Sequence, residues 1–254
     1  MADVKILIPV YKESLSDDER MSFLQCLNVL GNYPVVLVQP EGLDTSAIRS
    51  GHEKVTVEEF PLSYFKSVAG YNELMLSPLF YKRFVQTEYI LIYQLDAFVF
   101  RDELKQWCDK GYDYIGAPWI ATPRNSFFPC LNRLFRKDNS REMIFFKVGN
   151  GGFSLRKTAS FFRIAQTHEE TINRILHEGH RVFKMEDVFW SLKAPELALD
   201  FRIPDYREGV AFAIDRKPDL AIKINNGKLP FGCHGFNKPK VQQFWRPILE
   251  RYRE

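Results

Sequence analysis

Short apolar runs of strand length alternate with amphipathic stretches over the first hundred residues of this chain. Val4 to Val10 is apolar and ends at Tyr11-Lys12. Val35 to Val38 and Val55 to Phe60 follow, then Glu88 to Asp96, whose stretch Ile90-Leu91-Ile92-Tyr93-Gln94-Leu95-Asp96 ends in a single acid. Val35 to Val38 and the run ending at Asp96 read as strands buried on both faces, while Val55 to Phe60 alternates in part. Between the first two, Ser16 is an N-cap with Glu19 three residues on, the spacing of a capping box. Phe23, Leu24, Leu27 and Leu30 then fall on one helical face, and Gly31 suits the stop. Tyr64 to Phe84 has a helical pattern interrupted near Pro78. Repeated strand–helix units with short connections predict an α/β, Rossmann-like domain: a mostly parallel central sheet flanked by helices.

The second half is less regular. Asp102 can cap a short helix that stops at Gly111, and Tyr112 to Ala117 returns to strand character before Pro118-Trp119. Ile120 to Lys147 has no clear period and holds Pro123, Pro129 and the basic stretch Arg133-Leu134-Phe135-Arg136-Lys137. A long irregular segment inside a compact domain is functional or mobile, or simply a solvated loop. Phe161 to Ala165 and Ile172 to Leu176 look helical, and Val210 to Ile214 reads as another strand. Pro239 to Tyr252 reads as a terminal helix with Phe244, Trp245, Ile248, Leu249 and Tyr252 on its apolar side. Lys240, Arg246, Arg251 and Arg253 make it basic as well, so it could pack on the core or rest weakly on an anionic membrane surface. No repeat, low-complexity segment or linker divides the 254 residues, which therefore read as one domain over 1–254.

Composition narrows the function classes. A hydrophobic fraction of 45% and a charged fraction of 26% fit a globular protein with a sizeable core. A net charge of +3, with no arginine-rich run or zinc spacing, excludes nucleic acid as the expected partner. No apolar run reaches the ~18 residues of a membrane span. Cys26, Cys108, Cys130 and Cys233 are scattered without a C-x-x-C pair, so neither a disulfide framework nor a structural zinc site is expected. Met1-Ala2-Asp3-Val4-Lys5 passes directly into strand-like residues, from which no signal peptide and a reducing cytoplasm are expected.

Four segments carry candidate chemistry. Asp96 closes a buried strand, and ligands of open α/β sheets bind outside the carboxyl ends of strands; the same acid could merely turn the chain. Gly149-Asn150-Gly151-Gly152-Phe153-Ser154-Leu155-Arg156 lets backbone approach a ligand closely, or forms a tight turn. It is neither a dinucleotide fingerprint, whose last glycine would fall at Ser154, nor a Walker loop. Met185-Glu186-Asp187-Val188-Phe189-Trp190 sets two acids at a helix start, where a carboxylate stays ionised and can act as a general base. Phe231-Gly232-Cys233-His234-Gly235-Phe236 places a histidine between glycines; Cys233 beside it has no orienting third group, so a cysteine hydrolase is discounted.

In this order the segments resemble nucleotide-sugar-dependent glycosyltransferases of the GT-A fold, and in particular a bacterial glycosyltransferase-like family. The motifs of that family are matched at residues 93–100, 115–119, 149–156, 186–190 and 232–236. The resemblance implies a single GT-A-like domain, its nucleotide-binding part about 1–118 and its acceptor and catalytic part about 119–254. It implies that Asp96 is the last acid of an Asp-x-Asp metal motif, that Gly151 and Gly152 lie near the donor sugar, that Asp187 is the base of an inverting enzyme with Glu186 beside it, and that His234 helps bind the metal. Gln94 departs from the pattern, standing where the motif has its first acid. Mg²⁺ or Mn²⁺ is the implied cofactor, since carboxylate oxygen suits both and imidazole suits Mn²⁺ better. Tyr11 and Gln39, which end the first two strands, are candidate nucleotide contacts, and Trp119 is either core or a sugar platform. The irregular segment 120–147 is expected to border the acceptor. The implied partners are a nucleotide-sugar donor, UDP-sugar favoured, and a glycan or lipid-linked glycan acceptor, in bacterial surface polysaccharide synthesis at the inner face of the membrane. A sugar nucleotidyltransferase shares the sheet topology, but Pro9-Val10-Tyr11-Lys12 lacks its glycine-rich loop. A non-catalytic carbohydrate- or nucleotide-binding module is the other alternative.

Overall fold

β1 (Val4–Pro9), β2 (Val35–Pro40), β3 (Thr56–Phe60) and β4 (Tyr89–Tyr93) run parallel, in the order β3-β2-β1-β4. The structure is a computed structural model that describes residues 3–121 and 142–252. β5 (Ala97–Val99) leaves this sheet, while β6 (Tyr114–Gly116) and β7 (Phe153–Lys157) complete it as β4-β7-β6 with antiparallel pairing. β8 (Ala213–Ile214) and β9 (Gly232–His234) join β5 in a second sheet, ordered β5-β9-β8. All five residues of β4 are buried. Leu91 and Tyr93 pack with Ile6 and Ile8 on one face, Ile90 and Ile92 with Leu7 and Val38 on the other. Two buried faces explain why β1, β2 and β4 read as continuous apolar runs, whereas β3, at the edge of the sheet, does not.

The helix Asp17–Leu30 begins with the expected capping box: Ser16 N–H donates to Glu19 at 2.8 Å, and Glu19 N–H donates back to the Ser16 hydroxyl. Its buried face differs from the one expected. Leu24 is 43% exposed, while Ser22, Phe23, Gln25, Cys26 and Leu30 point inward. Polar Ser22 and Gln25 can be buried because they donate to the carbonyls of Ala97 and Val99. The next helical stretch is broken at Ser77, whose N–H closes the helix Val68–Leu76 and whose hydroxyl caps the helix Pro78–Lys82.

One further expectation is corrected. Residues 210–214 are mostly helix, not strand: Asp205 caps the helix Tyr206–Phe212, and only Ala213 and Ile214 are extended. The terminal helix, Gln242–Leu249, turns its apolar side inward. Trp245 stacks on Phe100 at 5.7 Å, and Tyr252 meets Phe98 and Phe100 edge-on. Of the two alternatives left open for this face, the structure shows the first: it packs on the core, with Arg246 and Arg251 outside. No helix of the described residues is long and apolar enough to cross a membrane. The basic stretch Arg133–Lys137 and most of the segment expected to border an acceptor lie outside the described residues.

Candidate functional site

The site lies where β1 and β4 end. β4 stops at Tyr93 rather than running to Asp96. Ala97 N–H bonds back to the Gln94 carbonyl at 2.8 Å, and this turn delivers the chain into β5 of the small sheet. The Gln94 N–H donates to the Gly152 carbonyl at 2.8 Å, tying the turn to the glycine segment. Asp96 therefore heads β5, while His234 closes the neighbouring β9 and is paired in register with Ala97. Asp215 follows β8, the third strand of that sheet. Strand pairing thus gathers three residues that are far apart in sequence.

Around His234 the geometry is close. Nε2 lies 2.9 Å from Asp96 Oδ1 and 3.2 Å from Gln94 Oε1; Nδ1 lies 3.3 Å from Asp215 Oδ1. Burial opposes charge on this imidazole, but Asp96 and Asp215 outweigh it and raise its pKa to about 9. Asp215 is held down at about 2 against its own burial by His234, Lys238 and Arg216. Asp96 is lowered, also against burial, by His234 and Lys238. The Lys238 ammonium lies 3.3 Å from Asp215 and 3.8 Å from Asp96. Gly235, at φ +65°, makes the turn that folds Lys238 back, and a Cβ there would strike the lysine side chain.

The atoms here that could hold a divalent cation are Asp96 Oδ1, Gln94 Oε1 and His234 Nε2. Two ligands at right angles on ~2.1 Å bonds stand about 3 Å apart, which matches the separations of His234 Nε2 from Asp96 and Gln94. The Asp215 carboxylate can hold the Nδ1 proton, so that a cation displacing the Nε2 proton would meet a lone pair facing Asp96 and Gln94. The set is weak in charge. Its third donor is an amide, and no group of three or more His, Cys, Asp or Glu among the described residues could hold a metal.

The cleft beside these residues has a volume of about 680 Å³ and is lined in part by Tyr11, Lys66, Tyr71, Gln94, Asp96 and Lys238. Tyr11 is 65% exposed at its mouth. Gln39 is not there. Its amide is buried and donates to the Leu43 carbonyl and Glu59, and its oxygen accepts from Thr45. It pins the loop after β2, so the strand-end argument for a nucleotide contact is corrected at this residue. Trp119 is buried against Val182 and Val188. Its ring occupies the space a Cβ on Gly149 would need, which makes it core.

Gly151 and Gly152 lie between His234 and the Glu186–Asp187 pair. A Cβ on Gly152 would strike His234 and Gln94, and one on Gly151 would strike Glu186. Glu186 neither caps its helix nor meets solvent. It is buried and paired with the fully buried Arg156, Nη2 to Oε1 at 3.1 Å. Asp187 is partly buried, and Oδ1 accepts the Val188 N–H at 2.8 Å. Burial, then the charge of Glu186, push its pKa up to about 7. It does not line the large cleft; it stands at the start of the helix Glu186–Val188, within electrostatic reach of Arg156 and His234. The sequence reading missed Asp215, Lys238 and Arg156. Asp215 repeats the pattern of Asp96, an acid just after a short apolar run, and Lys238 follows His234 across a glycine turn.

The model of one protein family, described as "Protein of unknown function (DUF5672)", matches residues 54–234. No curated protein matches the sequence. Among solved structures the chain is similar to mouse xyloside xylosyltransferase 1 in its apo form, with a TM-score of 0.57 and 14% identity over 94% of this chain and 99% of that one. It is also similar to the galactosyltransferase LgtC in complex with donor and acceptor sugar analogs, with a TM-score of 0.51 and 11% identity over 97% and 94%. A glycosyltransferase involved in glycosylation of the major capsid of PBCV-1 gives a TM-score of 0.50 at 12% identity, over 98% and 99%. The fold is therefore of the GT-A glycosyltransferase type.

Proposed function

The chain belongs to the family described as "Protein of unknown function (DUF5672)", and we propose that it is a glycosyltransferase that moves a sugar from a nucleotide-sugar donor to a hydroxyl acceptor. The observation that carries this reading is the meeting of Tyr11, Gln94, Asp96 and Lys238 around one cleft where parallel strands end, with His234 behind it. Open α/β sheets bind ligands at that edge. The donor role falls mainly on residues before about 118, and the catalytic role on those after.

In this reading the donor diphosphate lies along Lys66 and Lys238, whose charges attract its oxygens. Asp96, His234 and Gln94 would hold Mn²⁺ or Mg²⁺, which when bound supplies positive charge to the leaving diphosphate. Tyr11 offers its ring to the base at the mouth, with a UDP-sugar as the favoured donor. The acceptor, a glycan or lipid-linked glycan, presents its hydroxyl to Asp187. Its oxygen attacks the anomeric carbon as the bond from that carbon to the phosphate oxygen breaks. The bonding pair leaves with the diphosphate, and the hydroxyl proton passes to the Asp187 carboxylate. One displacement inverts the configuration. Glu186, closed in its pair with Arg156, is not free to take that proton. A cytoplasmic location is part of the proposal and agrees with the free, buried thiols of Cys26, Cys108 and Cys233.

The test is a panel of nucleotide sugars incubated with purified protein, Mn²⁺ and simple glycan acceptors, with released nucleoside diphosphate and extended acceptor both measured. Diphosphate release matched by acceptor extension is expected. Donor binding with neither product would leave a nucleotide-sugar-binding module instead.

A further inference from the structure

Arg156 lies on β7 and is completely buried, and every direction of its guanidinium is committed. Nε donates to Ser154 Oγ at 3.1 Å and Nη1 to Tyr81 Oη at 2.8 Å. Nη2 reaches the Gly151 carbonyl at 3.5 Å and Glu186 Oε1 at 3.1 Å. The group also lies over the Tyr114 and Phe161 rings, at 5.7 and 5.4 Å. One side chain thus ties β7, the helix that bears Tyr81, the glycine turn and the helix start 30 residues away. A buried ion pair adds little net stability over a well-packed apolar one, so stability alone does not account for it.

We propose that Arg156 and Glu186 are positioning residues: their buried pair clamps the Gly149–Gly152 turn to the helix start that carries Asp187, and so fixes where the Asp187 carboxylate stands. The inference rests on the reading of Asp187 as base given above. Three contacts support the clamp. Glu186 packs so tightly on Gly151 that a Cβ there would strike its carboxylate. The Glu186 N–H donates to Asn72 Oδ1 at 2.9 Å, anchoring the helix start to the helix whose Tyr71 lines the cleft. The Gly152 carbonyl holds Gln94, so the clamp continues into the turn that bears Asp96. The charged or titratable groups that act on Asp187 are Glu186, Arg156 and His234, with the Tyr114 phenol also coupled to it. Glu186 acts to raise its pKa, so Asp187 reports the state of the pair.

Glu186→Gln and Arg156→Lys test this. The Asp187 carboxyl is followed by ¹³C NMR titration, its signal assigned through Asp187→Asn, and steady-state kinetics run alongside. Glu186→Gln removes the like charge and leaves Arg156 in place. Its Asp187 titration and the acid limb of its pH profile should move down by about one pH unit. Arg156→Lys keeps the charge but loses the planar fork. Its kcat should fall about 10–100-fold from misplacement, with donor KM within about twofold. Unmoved Asp187 titration in Glu186→Gln together with wild-type kcat in Arg156→Lys would overturn the proposal, as would a raised donor KM at unchanged kcat. If Arg156→Lys does not fold, Glu186→Gln decides alone by its titration. That titration needs no substrate. A shifted Asp187 in a protein without transferase activity would sink the functional reading and leave the clamp standing.

Discussion

At the scale of single residues, the candidate chemistry divides between two corners joined by Gly151 and Gly152. One is the Asp96–His234–Asp215 corner, the other the Glu186–Asp187 pair. Asp96 and His234 were legible in the sequence because each punctuates a short apolar run or a glycine turn. The fate of Gln39 was not, since a strand end does not reveal that a side chain is taken up by its own loop. Nor could two adjacent acids show which of them meets Arg156. Asp187→Asn keeps the shape and removes the base, so turnover is expected to fall about 10²–10⁴-fold with donor KM nearly unchanged. With Asp187 raised to about 7, it is ionised only above that value. The wild-type log(kcat/KM) should therefore rise with pH and level off near 7, a profile checked by steady-state kinetics across pH 5–9 in ~0.5-unit steps. His234 acts on stability instead. Its folded pKa of about 9 lies above the ordinary 6.5. The stability it contributes is full below 6.5 and is lost as pH rises through 9. Urea unfolding of the metal-free protein should show this decline, and His234→Gln should flatten it.

At the scale of elements, the parallel strands and the capped helix were readable because local signals and tertiary environment agree. β4 is apolar throughout and buried on both faces, and the Ser16–Glu19 box is satisfied in both directions. Misreadings fell where tertiary contacts override periodicity. Leu24 fits the apolar stripe by spacing yet faces solvent, because Ser22 and Gln25 are drawn inward by the β5 carbonyls of Ala97 and Val99. Residues 210–212 look extended by composition, but the Asp205 cap commits them to a helix. The two faces should respond differently to substitution. Phe23→Ala is expected to cost about 3–5 kcal/mol in urea unfolding, and Leu24→Gln to stay within about 0.5 kcal/mol of wild type. Comparable losses at both positions would mean the helix is rotated from the orientation described.

At the scale of the molecule, one feature positions the site. The chain leaves the large sheet at Gln94, turns, and enters a small sheet whose three strands each bring or border a charged residue. The sequence showed the strand and the terminal acid, but not that a second sheet would set Asp215 and Lys238 beside them, because pairing of strands as short as two or three residues leaves no periodic trace. The proposed function requires this junction to bind a nucleotide sugar with a divalent cation. Calorimetric titration of nucleotide sugars, UDP-sugars first, into wild type and Asp96→Ala, each with and without Mn²⁺, tests it most directly. Wild type is expected to bind at least one donor more tightly with Mn²⁺, and Asp96→Ala to lose that dependence. Failure of every donor to bind wild type, or identical binding by both proteins with and without the cation, would contradict it.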